Sequence, residues 1–208
     1  MLGVDVSRWQ RVINWDALKN AGVSFAVIKA GGSDLGLYKD SFFEKNYREA
    51  MRVGIPIGAY YYVGNRFWTA RDGEEDAKRF LKMMKGKSFE LPVYLDIEAQ
   101  NRAYRSHVTI AAQAFCEYME KHGAFIGIYG SEYSTFEEMV YKQDLTKYTW
   151  WMANYSRQPK AKCLLWQYTD KGKINGIEGY ADMNKPIDET EFKSVLKVIK
   201  ERGFNKWT

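Results

Sequence analysis

Two acidic residues follow an apolar run near the middle of the chain. The segment LPVYLDIE, residues 91–98, is apolar up to Leu95 apart from one tyrosine, and then carries Asp96 and Glu98. Because side chains alternate along a strand, Asp96 and Glu98 are predicted to point to one side, about 6.6 Å apart along the backbone, while Leu95 and Ile97 point to the other. A protonated carboxylic acid beside an ionised one is the pair used in cleavage of glycosidic bonds, and the spacing favours this chemistry.

Two further acids stand at the ends of apolar runs. Asp5 ends the first run of the chain, and Asp182 ends the last one. If the runs are strands of a closed barrel, the first and last strands are neighbours, and Asp5 and Asp182 converge. Four carboxylates in one cleft repel each other and lose water, which raises the pKa of at least one of them.

Each acid also has a purely structural interpretation. Asp96 and Glu98 can form ion pairs with lysines or arginines, Asp5 can serve a turn or a helix cap, and Asp182 can belong to a turn before Pro186. Metal binding by these acids would be limited to hard cations. Two histidines and two cysteines without a CxxC spacing argue against a zinc site, so no metal and no cofactor are predicted.

Aromatic residues at or near the ends of the same runs supply a second signal. Flat rings can stack on sugar faces, and phenol hydroxyls can bond to sugar hydroxyls. The alternative for any one of them is packing in the barrel wall. Lys29, which ends the second run, is either a charge partner of the acids or an exposed strand terminus. The predicted substrate-binding residues are Tyr60, Tyr62, Tyr129, Trp151, Tyr155 and Trp166, with Trp9 and Tyr168 as further candidates.

Eight short β-rich runs alternate with helical patterns along the chain. Parallel strands require crossover connections, so this order predicts βαβ units in a parallel barrel. Helical patterns are weaker between the sixth and eighth runs, where TDKGKINGIEGYA has the composition of turns. The predicted fold is an α/β, modified TIM-like β/α barrel with eight strands and fewer than eight helices. In such barrels the active site lies at the carboxyl ends of the strands, where the acids fall.

The composition predicts one globular domain over residues 1–208. Hydrophobic residues make up 46% and aromatic residues 16% of the chain, and no apolar run has the length of a membrane span. The net charge of +5 suits an anionic polymer, but the basic residues are scattered, and no nucleic-acid partner is predicted. The first residues, MLGVDVSRWQ, lack the pattern of a signal peptide.

The ordered set of motifs resembles the glycoside hydrolase family 25 lysozymes, also called Chalaropsis-type muramidases. The motifs run from Gly3 to about Asn184, nearly the whole chain, and the whole set in this order is far more specific than any one of them. They are GVDVSRWQ, INWDALKNAGVSFAVIKAGG, YKDSFFEKNYREAMRVGIPIGAYYY, PVYLDIE, IYG, WWMANY and LWQYTDKGKINGIEGYADMN.

The resemblance implies hydrolysis of the β-1,4 bond between N-acetylmuramic acid and N-acetylglucosamine in bacterial peptidoglycan. Glu98 is then the general acid and later the base. Asp96 is either a nucleophile or the residue that positions the substrate's 2-acetamido group. Asp5 and Asp182 complete the acidic floor without a covalent role. A monomer acting outside the cell on the wall is expected, either as a phage endolysin or as a secreted domain.

The sequence departs from the family pattern at the rim. The family often has KATEG after the second strand, whereas Lys29-Ala30-Gly31-Gly32 stands here, and it often has His-Phe after GAY, where Tyr61-Tyr62 stand here. Substrate contacts on that rim are therefore expected to differ. Two other functions stay open at this point: a catalytically silent carbohydrate-binding barrel, and a chitinase-like hydrolase of N-acetylglucosamine polymers.

Overall fold

The computed structural model describes all 208 residues. The five α-helices are α1 Trp15–Asn20, α2 Phe43–Val53, α3 Ala70–Met84, α4 Arg105–Lys121 and α5 Glu189–Arg202. None of them combines the length and the apolar character that crossing a membrane requires. The nine strands are β1 Leu2–Val6, β2 Val23–Gly32, β3 Tyr38–Lys39, β4 Ile57–Tyr62, β5 Val93–Asp96, β6 Ile126–Ser131, β7 Thr149–Ala153, β8 Leu165–Gly172 and β9 Ala181–Pro186.

Eight of the strands close into a barrel. Their order is β1-β9-β8-β7-β6-β5-β4-β2, and pairing of β1 with β2 completes the ring. The short strand β3 pairs only with the end of β2 and lies outside the ring. The prediction of a modified TIM-like α/β barrel with eight strands and fewer than eight helices is confirmed.

The last barrel strand runs against the others, so the prediction of a wholly parallel barrel is wrong. Strand β9 is antiparallel to both β8 and β1. The connection from β8 to β9 is residues 173–180, which hold no helix, and strands joined without a crossover pair antiparallel. Asp182 therefore stands near the start of its strand and not at the end. The reversal still brings Asp182 to the carboxyl ends of the other strands, where it pairs with Asp5.

Side chains of the barrel strands alternate between two apolar layers. Tyr61 faces outward, where its ring lies 5.6 Å from Phe80 of α3 and 6.1 Å from Phe115 of α4. Tyr60 faces the barrel interior, where its ring lies 6.0 Å from that of Trp151. This alternation lets one strand bind the helices and line the interior at the same time.

Helix α5 closes one end of the barrel. Phe192 is fully buried, and its ring lies 5.1 Å from that of Phe25 inside the barrel near the amino end of β2. Gly3 makes room for this contact, because a Cβ there would lie 2.2 Å from the Phe25 ring. Asp188 caps the start of α5, and Gly203 ends it in the left-handed conformation. The interior is filled at this end and opens at the carboxyl ends of the parallel strands.

Candidate active site

The four predicted acids line one cleft of about 430 Å³ at the open end of the barrel. Asp5 comes from β1, Asp96 ends β5, Glu98 follows two residues later, and Asp182 comes from β9. The other lining residues are Ser7, Trp9, Gln10, Lys29, Tyr60, Tyr62, Tyr129, Trp151, Tyr155, Gln167, Asp170 and Tyr180. The acids do not form a cluster of three or more suited to hold a metal ion.

Asp5 is held by two side-chain amides. Its Oδ2 accepts hydrogen bonds from Gln167 Nε2 at 2.8 Å and from Asn184 Nδ2 at 2.7 Å. Both amides are buried, as is Asp5 itself. Hydrogen bonds to a carboxylate lower its pKa, but burial dominates here and raises the pKa of Asp5 to about 6.

A second ring of donors orients those amides. Tyr129 and Tyr155 donate their hydroxyl protons to Gln167 Oε1 at 2.7 and 2.8 Å. Trp151 Nε1 donates to Asn184 Oδ1 at 2.8 Å. Since each amide oxygen is occupied by a donor, each amide nitrogen is directed at Asp5. Aromatic residues of the cleft thus fix the position of an acid as well as lining the wall.

The pair Asp96 and Glu98 is the chemically unusual part of the cleft. Asp96 is 2% exposed, and its Oδ1 has no hydrogen-bond partner. Burial, followed by the charge of Glu98, raises the pKa of Asp96 well above its ordinary value. Glu98 reaches solvent in the cleft, and its pKa is also raised, chiefly because the surrounding protein displaces water. The charge of Glu98 and a hydrogen bond to it both favour the protonated form of Asp96, whereas the hydrogen bond to Asp96 opposes the rise in the pKa of Glu98.

None of the four acids forms an ion pair. The salt bridges of the chain involve other acids, such as Asp76 with Arg79 and Glu132 with Arg157. The structural interpretation of Asp96 and Glu98 as barrel ion pairs is therefore wrong. The positive charge of Lys29 lowers the pKa of both Asp96 and Glu98 without forming a salt bridge to either.

Lys29 lies on the wall of the cleft with 8% of its surface exposed. Its Nζ is 4.4 Å from the centre of the Tyr62 ring, 5.7 Å from that of Tyr38 and 5.8 Å from that of Tyr60. The faces of these rings stabilise the ammonium group in place of water. The interpretation of Lys29 as an exposed strand terminus is wrong, and the structure favours the charge-partner role.

Five of the six aromatic residues predicted to bind substrate line the cleft, and Trp166 does not. Gln167 faces the interior, so its neighbours Trp166 and Tyr168 face outward, with their rings 5.9 Å apart. Trp166 Nε1 donates to the carbonyl of Asn154 at 2.7 Å, and Lys185 Nζ lies 4.6 Å from its ring centre. The prediction that Trp166 lies in the cleft is wrong, because its side chain points to the outside of the barrel.

The cleft continues past Glu98. A second hollow of about 520 Å³ shares Glu98, Tyr129 and Tyr155 with the first one and extends along the loops that follow β6 and β7. Glu98 therefore stands between two hollows. A long substrate can occupy both sides of this residue at once.

Gln167 and Asn184, the two residues that hold Asp5, are missing from the sequence-based prediction, as are Ser7, Gln10, Asp170 and Tyr180 of the cleft lining. Asn184 stands two residues after Asp182 in ADMN, and therefore shares its parity on the strand. In LWQYT, Gln167 faces the barrel interior, whereas the aromatic residues on both sides of it face outward. Strand alternation is thus the signal that would have found both residues and excluded Trp166.

We expect Asp182→Asn to increase stability at alkaline pH. Burial, and then the charge of Asp5, raise the pKa of Asp182 to about 8 in the folded state, against 3.8 ordinarily. The folded state therefore binds the Asp182 proton more strongly than the unfolded state does. The free energy of unfolding falls progressively as the pH rises from about 4 to about 8. Urea unfolding should show the variant more stable than the wild type at pH 8 by on the order of 1 kcal/mol, since solvent screens part of the effect. The difference should vanish below pH 4.

The matched control for that experiment is Asp16→Asn. Asp16 is exposed, and its hydrogen bond to Arg52 lowers its pKa. This variant is expected to be slightly less stable than the wild type at pH 8, which is the opposite sign. Equal pH dependence in the Asp182 variant and the wild type would contradict the electrostatic account of the cleft.

An acid-lined cleft at the open end of a β/α barrel, with two neighbouring carboxyl groups of raised pKa and aromatic walls, defines a glycoside hydrolase. The chain belongs to the glycosyl hydrolases family 25, whose sequence model matches residues 4–177.

Known proteins similar to this chain include lysozymes and an endolysin. The autolytic lysozyme of Clostridium acetobutylicum is 27% identical over 188 residues, which cover 89% of this chain and 55% of that protein. The CTP1L endolysin structure aligns with a TM-score of 0.80 at 26% identity, covering 95% of this chain and 69% of that one. The lysozyme structure from Streptomyces coelicolor aligns with a TM-score of 0.78 at 26% identity, covering 95% and 97%. The chain thus spans little more than half the length of the autolytic lysozyme.

Proposed function

We propose that this chain is a muramidase. It hydrolyses the β-1,4 bond between N-acetylmuramic acid and N-acetylglucosamine in bacterial peptidoglycan. The observation that carries the proposal is the pair of Asp96 and Glu98, in which a buried carboxyl group stands beside one that opens into the cleft and both have raised pKa values. Similarity to proteins named lysozyme supports the choice of peptidoglycan over other glycans.

Glu98 acts first as the general acid. Its proton passes to the glycosidic oxygen as the bond to the anomeric carbon breaks, and the leaving sugar departs as an alcohol. The carboxylate of Asp96 supports the developing positive charge, either by attacking the anomeric carbon or by positioning the 2-acetamido oxygen to attack it. Glu98 then takes a proton from water as the water oxygen bonds to the anomeric carbon. The bond from that carbon to Asp96, or to the acetamido oxygen, breaks at the same time, and a new reducing end is released.

The remaining residues hold the substrate and the acids. Asp5 and Asp182 form the acidic floor and keep a proton available in the cleft, since both have raised pKa values. The two hollows on either side of Glu98 accommodate sugars on both sides of the cleaved bond. The aromatic residues that contact those sugars are Tyr60, Tyr62, Tyr129, Trp151 and Tyr155.

We also propose that residues 1–208 act as one catalytic unit, as a monomer, on the outside of the bacterial cell. The segment after α5 supports the single unit, because Asn205 is fully buried and joins it to the barrel. Its side chain donates to the carbonyl of Leu91 and accepts from the amide of Phe125, both at 2.8 Å. The net charge of +5 favours approach to an anionic wall.

Analysis of the products tests the proposed reaction. Purified peptidoglycan is digested with the protein, reduced with borohydride, and the reduced ends are identified by mass spectrometry. Reduced muramic acid ends are expected. Reduced glucosamine ends would replace the muramidase proposal with cleavage on the other side of muramic acid. Activity on chitin alone would indicate the chitinase-like alternative, and wall binding without new ends would indicate a silent binding barrel.

We expect Lys29→Met to move the pH–rate profile to higher pH. The positive charge of Lys29 lowers the pKa of both Asp96 and Glu98. Removing it makes both carboxyl groups hold their protons more strongly, so both limbs of the bell-shaped profile shift upward, by about 1 pH unit. The profile of kcat/KM on peptidoglycan measures this shift.

Lys185→Met is the matched control, because Lys185 also lies over aromatic rings but on the outside of the barrel. Its profile is expected to coincide with that of the wild type. A Lys29 variant with reduced activity but an unmoved profile would show that the lysine only packs against the tyrosines.

A further inference from the structure

Two aromatic rings are stacked on the surface of the barrel outside the cleft. The rings of Trp68 and Tyr104 have centroids 5.2 Å apart and planes inclined by 30°. Trp68 is 39% exposed and Tyr104 is 42% exposed. The pair therefore presents flat apolar faces to solvent, although burial of such rings would be strongly favourable.

The stack lies at the same end of the barrel as the catalytic cleft. Trp68 stands just before α3 and Tyr104 just before α4, and these helices follow β4 and β5. The helices therefore begin at the carboxyl ends of the strands that carry Tyr62 and Asp96. Tyr104 is six positions after Glu98, and Trp68 is six positions after Tyr62, so the Cα atom of each lies within about 20 Å of that of a cleft residue by chain reach.

The surrounding structure fixes the two loops that carry the rings. Gln100 is buried, and its Nε2 donates to the carbonyls of Val63 and Gly64, both at 2.9 Å. These bonds tie the loop after β5 to the loop after β4. Gly73 lets α3 approach α4 closely, since a Cβ there would lie 2.0 Å from the carbonyl oxygen of Ala111. The stack therefore stands on two loops that are bonded to each other.

The exposed position of Trp68 is not explained by its own helix. Thr69 caps α3, so Trp68 is the residue before the cap, where an apolar side chain usually packs against the fourth helical residue. In α3 that fourth residue is Gly73, which has no side chain to contact. Trp68 packs instead on Tyr104 of the neighbouring loop. The Tyr104 ring also meets that of His107 edge-on, with centroids 5.9 Å apart, and both rings of the stack stay partly exposed.

Unpaired positive charge flanks the stack in the sequence. Arg66 and Arg71 are both exposed, stand within three residues of Trp68, and form no salt bridge. Arg102, close to Tyr104, pairs with Glu138. Flat rings beside cations suit a ligand that offers both sugar faces and carboxylates.

We propose that the Trp68–Tyr104 stack is an auxiliary saccharide-binding site, which holds a peptidoglycan strand outside the catalytic cleft. This inference rests on the proposed muramidase function, because peptidoglycan supplies sugar rings together with the carboxylates of its peptide substituents. Sugar rings lie against the aromatic faces, and carboxylates meet Arg66 and Arg71. The site increases attachment to the polymer without taking part in bond cleavage.

The test separates binding from catalysis. Trp68→Ala and Tyr104→Ala are each combined with Glu98→Gln, and binding to purified, insoluble peptidoglycan is measured by sedimentation. Each replacement is expected to weaken binding about three- to tenfold, as loss of an aromatic contact predicts. The same replacements with Glu98 intact are expected to slow hydrolysis of insoluble peptidoglycan by a similar factor. They should leave hydrolysis of a short soluble tetrasaccharide, which fills only the cleft, unchanged.

Tyr118→Ala is the matched control. Tyr118 forms a similar surface stack with His122, with centroids 4.2 Å apart, at the far end of α4 from the cleft. Its replacement is expected to leave binding and both hydrolysis rates unchanged. Trp68→Phe, which keeps a flat ring, is expected to restore most of the binding lost in Trp68→Ala.

Two results would overturn the auxiliary site. Unchanged binding in both alanine variants would show that the rings do not contact the polymer. Equal losses on the insoluble and the short substrate would show that the stack only supports the fold. Failure of the muramidase proposal would be seen separately, because the wild-type protein would then not hydrolyse peptidoglycan. The sedimentation assay would still measure binding in that case.

Discussion

Replacement of Glu98 with glutamine is expected to lower kcat on peptidoglycan by about 10²- to 10⁴-fold, the usual contribution of a general acid. Glutamine keeps the size of the side chain, and it still forms hydrogen bonds in the cleft, but it has no proton to give to the glycosidic oxygen. The leaving sugar would then have to depart as an unprotonated alkoxide. Release of reducing ends measures the rate.

Binding of the Glu98→Gln variant to peptidoglycan is expected to stay close to that of the wild type. In the proposed complex the sugars contact the aromatic walls and the residues on both sides of Glu98, none of which the substitution removes. Glu178→Gln is a suitable control, because Glu178 is exposed on the loop between β8 and β9 and lines a different hollow. Its activity is expected to equal that of the wild type. A Glu98 variant with more than a tenth of the wild-type rate would exclude Glu98 as the acid.

The acids of the cleft were predictable because local patterns place them. Apolar runs that end in Asp or Glu predict strands whose carboxyl ends carry charge, and a barrel gathers those ends at one face. This held for Asp5, Asp96 and Glu98. For Asp182 the prediction placed the residue in the cleft correctly but gave its strand the wrong direction. A short apolar run has the same sequence pattern whether its strand is parallel or antiparallel to its neighbours. The missing helix in residues 173–180 was the evidence for a hairpin.

The hydrogen bonds around Asp5 could not be predicted in the same way. Gln167 is 162 residues away from Asp5 and Asn184 is 179 residues away, and both bonds depend on closure of the barrel. Nothing in the residue types distinguishes an amide that binds an acid from one that faces solvent. The only information in the sequence was the alternation of side chains along each strand, which tells which residues face the interior. That alternation can be used once the ends of the strand are known.

The departure from the family pattern after β2 has a physical cause in the fold. A Cβ at Gly31 would lie 2.3 Å from the carbonyl oxygen of Tyr38, and one at Gly32 would lie 2.6 Å from that of Tyr62. Both glycines pair with the short strand β3, which crosses the end of β2 at this point. The acid found here in many family members is thus replaced by a close backbone contact. The positive charge of Lys29 then has one acid fewer near it.

Replacement of Asp96 with asparagine is expected to lower kcat on peptidoglycan by about 10²- to 10⁴-fold, as loss of a positioned catalytic carboxylate predicts. Asparagine matches the shape of the aspartate but carries no negative charge to stabilise the cation that forms at the anomeric carbon. The rate loss alone does not separate attack by Asp96 from assistance by the 2-acetamido group. A comparison of two substrates, peptidoglycan with and without N-acetyl groups, separates them.

We expect the acetamido route, because Asp96 is only 2% exposed, and a carboxylate enclosed in this way can hold the acetamido group in place without itself meeting the anomeric carbon. Asp96 and the acetamido group then act in the same step, and their removal is not additive. Asp96→Asn should slow hydrolysis of N-acetylated peptidoglycan strongly, and hydrolysis of the deacetylated polymer only slightly beyond its already low rate. An equal slowing on both polymers would show instead that Asp96 attacks the anomeric carbon itself.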